Sequence, residues 1–329
     1  MIKSKNSLVC SLSVLAFLLV LVASASYAEY HLNDVTYGKN LFVAVGCYGP
    51  PDTGSCGRTA ILTSPDGINW IERKNPNGGD VKFLIGVVYV NNLFVAVGYH
   101  AAIFTSPDGI NWTAAVVSEE YSYSYIGGVT YGKNIFVGVG FESFEGVFVT
   151  SLDGQYWILK EYDNSDSYDF YLYDIAYGKN IFAVVGEKSD DIGDIGVLLT
   201  SPDGMTWRET SINYICRGIT YGKNMFLAVG EDGVISTSPD GLNWSQRNSG
   251  TTNNLYDAIY GKKLFVAVGD SGTIVTSKDG KKWTVRNPGT TDNYLHGVAY
   301  GNNLFVAVGE NNTILTSPDG KTWTEKSIY

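Results

Sequence analysis

The chain has 329 residues, 44% of them apolar and 17% charged, with 38 glycines, 23 tyrosines and 7 tryptophans. That composition excludes disordered, collagenous and polytopic membrane proteins. A net charge of −10 argues against a phosphate-backbone ligand, which needs clustered Lys and Arg, so no nucleic-acid partner is expected.

Residues 1–28 read as an address. Lys3 and Lys5 form a basic start, Val14 to Ala23 is an unbroken apolar run, and Ser26-Tyr27-Ala28 supplies small residues before a cleavage point. This is the pattern of a secretory signal peptide cleaved after Ala28. The apolar run is too short to cross a bilayer, and no later segment comes closer. The expected product is a secreted or periplasmic chain of residues 29–329 without a membrane span. Cleavage removes both lysines and takes the net charge from −10 to −12.

Self-similarity organises everything after the leader. Tryptophans recur at Trp70, Trp112, Trp157, Trp207, Trp244, Trp283 and Trp323, a period of about 42 residues. Tyr37, Tyr89, Tyr131, Tyr177, Tyr221, Tyr260 and Tyr300 recur in step with them, each at a turn. Seven units result, at about 30–75, 82–117, 124–161, 171–210, 214–248, 255–287 and 294–329. Each reads as four short strands, A to D, separated by Gly, Asn and Asp turns. Strand B, such as Leu41-Phe42-Val43-Ala44-Val45, is apolar at consecutive positions, so both its faces need covering. Radial repetition of four-stranded antiparallel sheets covers them, and the expected fold is an all-β, seven-bladed β-propeller forming a single domain. The first unit opens on a strand A and the last closes on a strand D, so no strand exchange between the termini is expected.

In the first unit Cys47 and Cys56 flank a Pro- and Gly-rich loop, and in an exported chain they are expected to pair. Cys216 is left in an apolar strand, as a small buried residue. The turn between strands C and D carries Asp66, Asp108, Asp153, Asp203, Asp240, Asp279 and Asp319, each just before a glycine and four residues before a tryptophan. Such a carboxylate accepts hydrogen bonds from the free N–H groups of the turn, while the glycine takes the positive φ. A structural role is expected, with no metal.

The recurring Thr-Ser-Pro-Asp-Gly-x-x-Trp, taken with seven units, resembles the Asp-box (BNR) repeat propellers. That group includes the sialidases and, nearest in size, the photosystem II assembly and stability factors. The resemblance covers residues 30–329 and implies the propeller architecture. Here the box is shortened: Asp and Gly adjoin where the usual pattern has one residue between them. No catalytic residue is carried over.

The A–B and C–D turns barely vary between units, whereas the B–C and D–A connections carry the insertions, at 47–56, 74–80, 118–125, 141–146, 161–171 and 187–196. One face of the ring is thus uniform and the other individual, in blades 1 to 4 above all. Glu119, Glu120, Tyr121, Tyr123 and Tyr125 in one connection, with Tyr162, Tyr168, Asp169 and Tyr171 in another, form an acidic and aromatic loop set. Such loops suit recognition of a protein or a glycan; a solvated acidic rim is the alternative reading. Asp190, Asp191 and Asp194 lack the spacing of a calcium loop. At the axis, aligned positions read Asp34, Gly86, Gly128, Asp174, Gly218, Asp257 and Gly297, near Arg217 and His296. Those carboxylates either receive a cation or basic group, or satisfy strand N–H groups at a crowded inner edge.

A sialidase-like reaction needs a guanidinium clamp. Of six arginines, Arg73, Arg208, Arg247 and Arg286 follow the outer tryptophans, leaving Arg58 and Arg217 for the variable face. No three-arginine clamp can form, and His31, His100 and His296 have no metal-ligand spacing. The expected function is a non-catalytic, monomeric, cofactor-free propeller that binds a protein or glycan. A glycoside hydrolase using loop carboxylates and an assembly factor of the photosystem II type are the alternatives.

Overall fold

A computed structural model describes residues 29–49, 56–76, 78, 83–118, 124–162, 169–190, 193–286, 291–326 and 328. The leader at 1–28, and with it the export expectation, lies outside the described residues. Seven antiparallel sheets form the ring, and no helix among the described residues is long and apolar enough to cross a membrane.

The inner strands are Glu29–Gly38, Leu84–Val90, Tyr125–Gly132, Asp169–Gly178, Cys216–Gly222, Leu255–Gly261 and Leu295–Gly301. Each pairs with the next strand through a two-residue turn with positive φ at both central positions, for example Lys39 at 47° and Asn40 at 61°. This mirror-image turn matches the right-handed twist of the flanking strands. Its centre is therefore Lys-Asn or kin, and the recurring tyrosine is the penultimate residue of the inner strand.

The cores lie between blades. Val43, Val45 and Ile61 of blade 1 pack with Leu84, Phe94, Phe104 and Trp112 of blade 2. Val306, Val308 and Ile314 of blade 7 pack with Leu32, Phe42 and Leu62 of blade 1, which closes the ring. Both faces of every B strand are buried, as its unbroken apolar run requires. Blade 7 takes all its strands from contiguous chain, ending at Thr324–Lys326, so among the described residues no strand is exchanged between the termini.

Each C–D turn is built alike. Asp66 Oδ1 accepts from Ile68 N and Asn69 N at 2.9 and 2.8 Å, and from the Ser64 hydroxyl at 2.9 Å. Gly67 takes φ 72°, and Trp70 Nε1 donates to the Gly67 carbonyl at 3.3 Å. In blade 4 Trp207 instead stacks on Phe148 of blade 3, ring centroids 4.4 Å apart.

Three connecting segments take regular structure. The insertions at 141–146 and 187–196 are lengthened hairpins: Ile135–Glu142 pairs with Glu145–Ser151, and Ile181–Asp190 with Gly193–Ser201. Residues added in facing pairs extend an antiparallel ladder without breaking its register. Blade 3 also has a fifth strand, Val116–Ser118, which leaves blade 2 and runs parallel to Tyr156–Ile158. Residues 116–117 thus belong to the sheet of blade 3.

Candidate functional site

Every inner strand carries a β-bulge at the same place, between Leu32 and Asp34 in blade 1 and at the matching positions of the other six. A bulge inserts one unpaired residue and re-aims its side chain. The seven inserted residues are Asn33, Ile85, Gly127, Tyr173, Arg217, Tyr256 and His296. All seven line one cavity of about 300 Å³ at the end of the central channel where the inner strands begin. Tyr125 completes the wall, and Asp34, Asp174 and Asp257 form its floor.

The floor is a set of clamps between blades. Asp34 accepts from Val35 N in its own strand and from Val87 N of blade 2, both at 2.7 Å. Asp174 accepts from Ile175 N and from Ile219 N of blade 5, both at 2.8 Å. Asp257 accepts from Ala258 N at 2.6 Å and from Val298 N of blade 7 at 2.8 Å. The strand receiving each clamp has glycine at the aligned position: Gly86, Gly218 and Gly297. Of the two sequence readings of these carboxylates, N–H satisfaction is thus realised, and it also ties neighbouring blades together. Burial raises all three, with Asp174 pushed up to about 7; for Asp34 the charge of Asp257 adds to the effect, and for Asp174 the backbone bond from Ile219 opposes it.

Behind the wall stands a second ring, the residue after each strand-B glycine: Cys47, Tyr99, Phe141, Glu187, Glu231, Asp270 and Glu310. Arg217 stacks over the Tyr173 ring at 4.2 Å, donates from Nε to Glu231 Oε1 at 3.1 Å, and lies 3.6 Å from Glu187 Oε2. His296 Nε2 lies 3.5 Å from Glu310 Oε1. Burial pulls His296 below its ordinary value, against the opposing pull of Glu310.

Among the predicted loop residues, Tyr125 and Tyr171 meet at the mouth through Phe141, with centroids 4.7 and 4.9 Å from it. Tyr162 does not join them. It packs on Phe170 and Phe148 between blades 3 and 4, because Phe170 and Tyr171 alternate across one strand. Asp169 is exposed at the start of that strand. Glu119, Glu120, Tyr121, Tyr123 and Tyr168 lie outside the described residues, as does Asp191. Arg58 stacks over Tyr48 at 4.7 Å. Arg73, Arg247 and Arg286 each donate from Nε to a threonine hydroxyl of the neighbouring strand. Cys47 and Cys56 pair, with Cα atoms 5.5 Å apart, and Cys216 is a buried thiol that burial pushes up to about 12.

The sequence reading passed over Asn33, Ile85, Tyr173 and Tyr256. Their signal is a column one residue before the Asp/Gly column, in which six residue types occur in seven repeats while the flanking columns hardly change.

No family model matches the chain, and no curated protein matches it. Solved propellers do. One structure, "YCF48 bound to D1 peptide", is 19% identical over 74% of this chain and 81% of that one, with a TM-score of 0.55. Virginiamycin B lyase from Staphylococcus aureus is 13% identical over 91% and 96%, at 0.60. The WD40 propeller domain of Doa1 is 14% identical over 88% and 95%, at 0.59. At these identities the likeness establishes the fold.

Proposed function

We propose that this chain is an exported, non-catalytic recognition propeller that binds an extended protein segment on the face carrying its B–C and D–A connections. The observation that carries this reading is the convergence of seven unlike bulge residues on one cavity of an otherwise repeated scaffold. Side chains differ from blade to blade where a ligand must be read and are uniform where only packing is needed. The Cys47–Cys56 pair suits an oxidising compartment. The C–D turns support reading the repeats as a shortened Asp-box. Among the neighbours, YCF48 is a structure with a bound peptide, which makes protein the favoured ligand class over glycan. Each axial carboxylate spends both oxygens on backbone N–H groups, which takes these three out of any acid or base role.

The test is selection of a random dodecapeptide phage library on residues 29–329, beside a glycan array. The expected result is enrichment of peptides whose binding is lost in Tyr125→Ala. Glycan binding without peptide enrichment, or hydrolysis of an arrayed glycan, overturns the reading.

A further inference from the structure

The mouth of the channel has two unlike halves. Along blades 2 to 4 an unbroken chain of rings runs from Phe83 to Tyr99 at 6.0 Å, Tyr99 to Tyr125 at 5.0 Å, Tyr125 to Phe141 at 4.7 Å and Phe141 to Tyr171 at 4.9 Å. Phe144 extends it, 6.5 Å from Tyr171. None of the six is fully covered, and Tyr99 and Phe144 are 40% and 58% exposed. Isolated exposed rings are ordinary, but a contiguous aromatic surface beside a cavity marks an interaction site.

Blades 4 to 7 are the opposite in character. Where blades 2 and 3 place Tyr99 and Phe141 after the strand-B glycine, these four place Glu187, Glu231, Asp270 and Glu310. Facing this arc are Arg217, engaged with Glu187 and Glu231, and His296, which burial holds toward its neutral form. Four carboxylates against one guanidinium leave the arc acidic. Glu187 Oε2 lies 3.6 Å from Arg217 and interacts with Tyr173, and Asp270 interacts with Tyr256, so of the four carboxylates only Glu187 and Glu231 meet a guanidinium.

Resting on the peptide-binding reading above, we infer that the mouth takes a protein segment of amphipathic, basic character. Its apolar side chains lie on the aromatic crescent of blades 2 to 4, and a Lys or Arg reaches the acidic arc of blades 4 to 7. A neutral glycan would leave the arc unanswered. An acidic segment would meet repulsion over half the mouth. Charge complementarity of this kind sets partner choice and association rate more than total affinity.

Three fluorescein-labelled dodecapeptides sharing one Leu- and Phe-containing frame, with Arg-Arg, Gln-Gln or Glu-Glu at the centre, are titrated into residues 29–329 and followed by anisotropy. The expected order is Arg over Gln over Glu, with about a tenfold step for the basic pair. Half-molar salt and the Glu231→Gln/Glu310→Gln variant should each remove most of that step, since both weaken the field. Tyr99→Ala should weaken all three peptides alike. If the double variant does not fold, Glu310→Lys alone reads the same property by narrowing the gap between the Arg and Glu peptides. Equal binding of the Arg and Gln peptides overturns the charge inference while the peptide-binding reading stands. Binding of none of the three, with an amine-bearing glycan such as a chitosan oligomer bound instead, overturns both.

Discussion

Tyr30 and Asn312 stand 282 positions apart and exchange two hydrogen bonds: Tyr30 N donates to Asn312 Oδ1 at 2.8 Å, and Asn312 N donates to the Tyr30 carbonyl at 2.9 Å. This pair fastens the last blade to the first without any exchanged strand. Elsewhere in the ring the same B–C turn reaches the start of the next inner strand, as Ala101 N does to the Ser124 carbonyl at 2.9 Å. Closure therefore reuses a contact that also joins blades 2 and 3, and blades 6 and 7 through Gly272 N and the Asn293 carbonyl at 2.8 Å.

Asn312→Ala should loosen the closure. Asn312 sits at φ 62°, where asparagine is tolerated and alanine is strained, and the variant also loses the side-chain acceptor. The expected cost is about 1–2 kcal/mol, a fall of roughly 2–5 °C in Tm by scanning calorimetry. An unchanged Tm would show that apolar packing of blade 7 on blade 1 closes the ring unaided.

The axial glycines are close-approach positions. A Cβ on Gly218 would collide with the Tyr256 carbonyl, and one on Gly86 with the Gly127 carbonyl. Both obstacles are backbone, so Gly218→Ala and Gly86→Ala should each cost about 2 kcal/mol or more. Tm is the readout, and a neutral effect would mean that the inner strands can slide apart.

Stability should peak in mildly acidic solution. Burial raises Asp174 and Asp257 to about 7, above the unfolded value of 3.8, so the folded chain holds more protons between those limits. Their contribution is fully present below the unfolded value and is lost as pH rises through about 7. The turn carboxylates work in the other direction. Asp66, held low first by the Asn69 N–H, contributes above the unfolded value and loses that contribution as pH falls. Tm should therefore be higher near about pH 5 than near about pH 8, and Asp257→Asn should flatten the alkaline decline. A Tm that climbs steadily to about pH 8 would contradict the buried-carboxylate account.

Asp240→Ala should cost about 1–3 kcal/mol, since Leu242 N and Asn243 N both lose their acceptor. Ser238→Ala, which removes the hydroxyl accepting from Gly241 N at 2.8 Å and from Asp240 N at a longer 3.3 Å, should cost less, because hydrogen bonds to a neutral hydroxyl are weaker than those to a carboxylate. Urea midpoints of the two variants decide the order.

Thiol titration of residues 29–329 should find no reactive thiol in the native state, one after denaturation and three after denaturation with reductant. Cys47 and Cys56 are paired and Cys216 is fully buried. A thiol reactive in the native state would mean that one of those two features is wrong.

The ring was legible before any coordinates. Seven tryptophans in phase, B strands apolar on both faces and a fixed Asp-Gly turn leave a radial stack of sheets as the economical way to bury that surface. The Cys47–Cys56 pair and the backbone-bonding role of the turn aspartates were legible for the same reason: each is a local matter of a few neighbouring residues. Tyr125 and Tyr171 were legible as binding candidates by composition, but their meeting through Phe141 was not. Tyr162 shows why. It is a few residues from Tyr171 along the chain, yet it packs between blades, because alternation along one strand sends Phe170 and Tyr171 to opposite faces.

What the chain's own order determined is therefore everything that repeats, since a period is a one-dimensional property and local turn chemistry travels with it. The tertiary structure decided which unlike residues share a space: the bulge that aims Tyr173, Arg217, Tyr256 and His296 into one cavity, and the chain of rings that joins its Tyr125 to Tyr171 through Phe141. Those neighbours lie about one repeat apart in sequence, and only ring closure brings them within a few ångströms of a common axis.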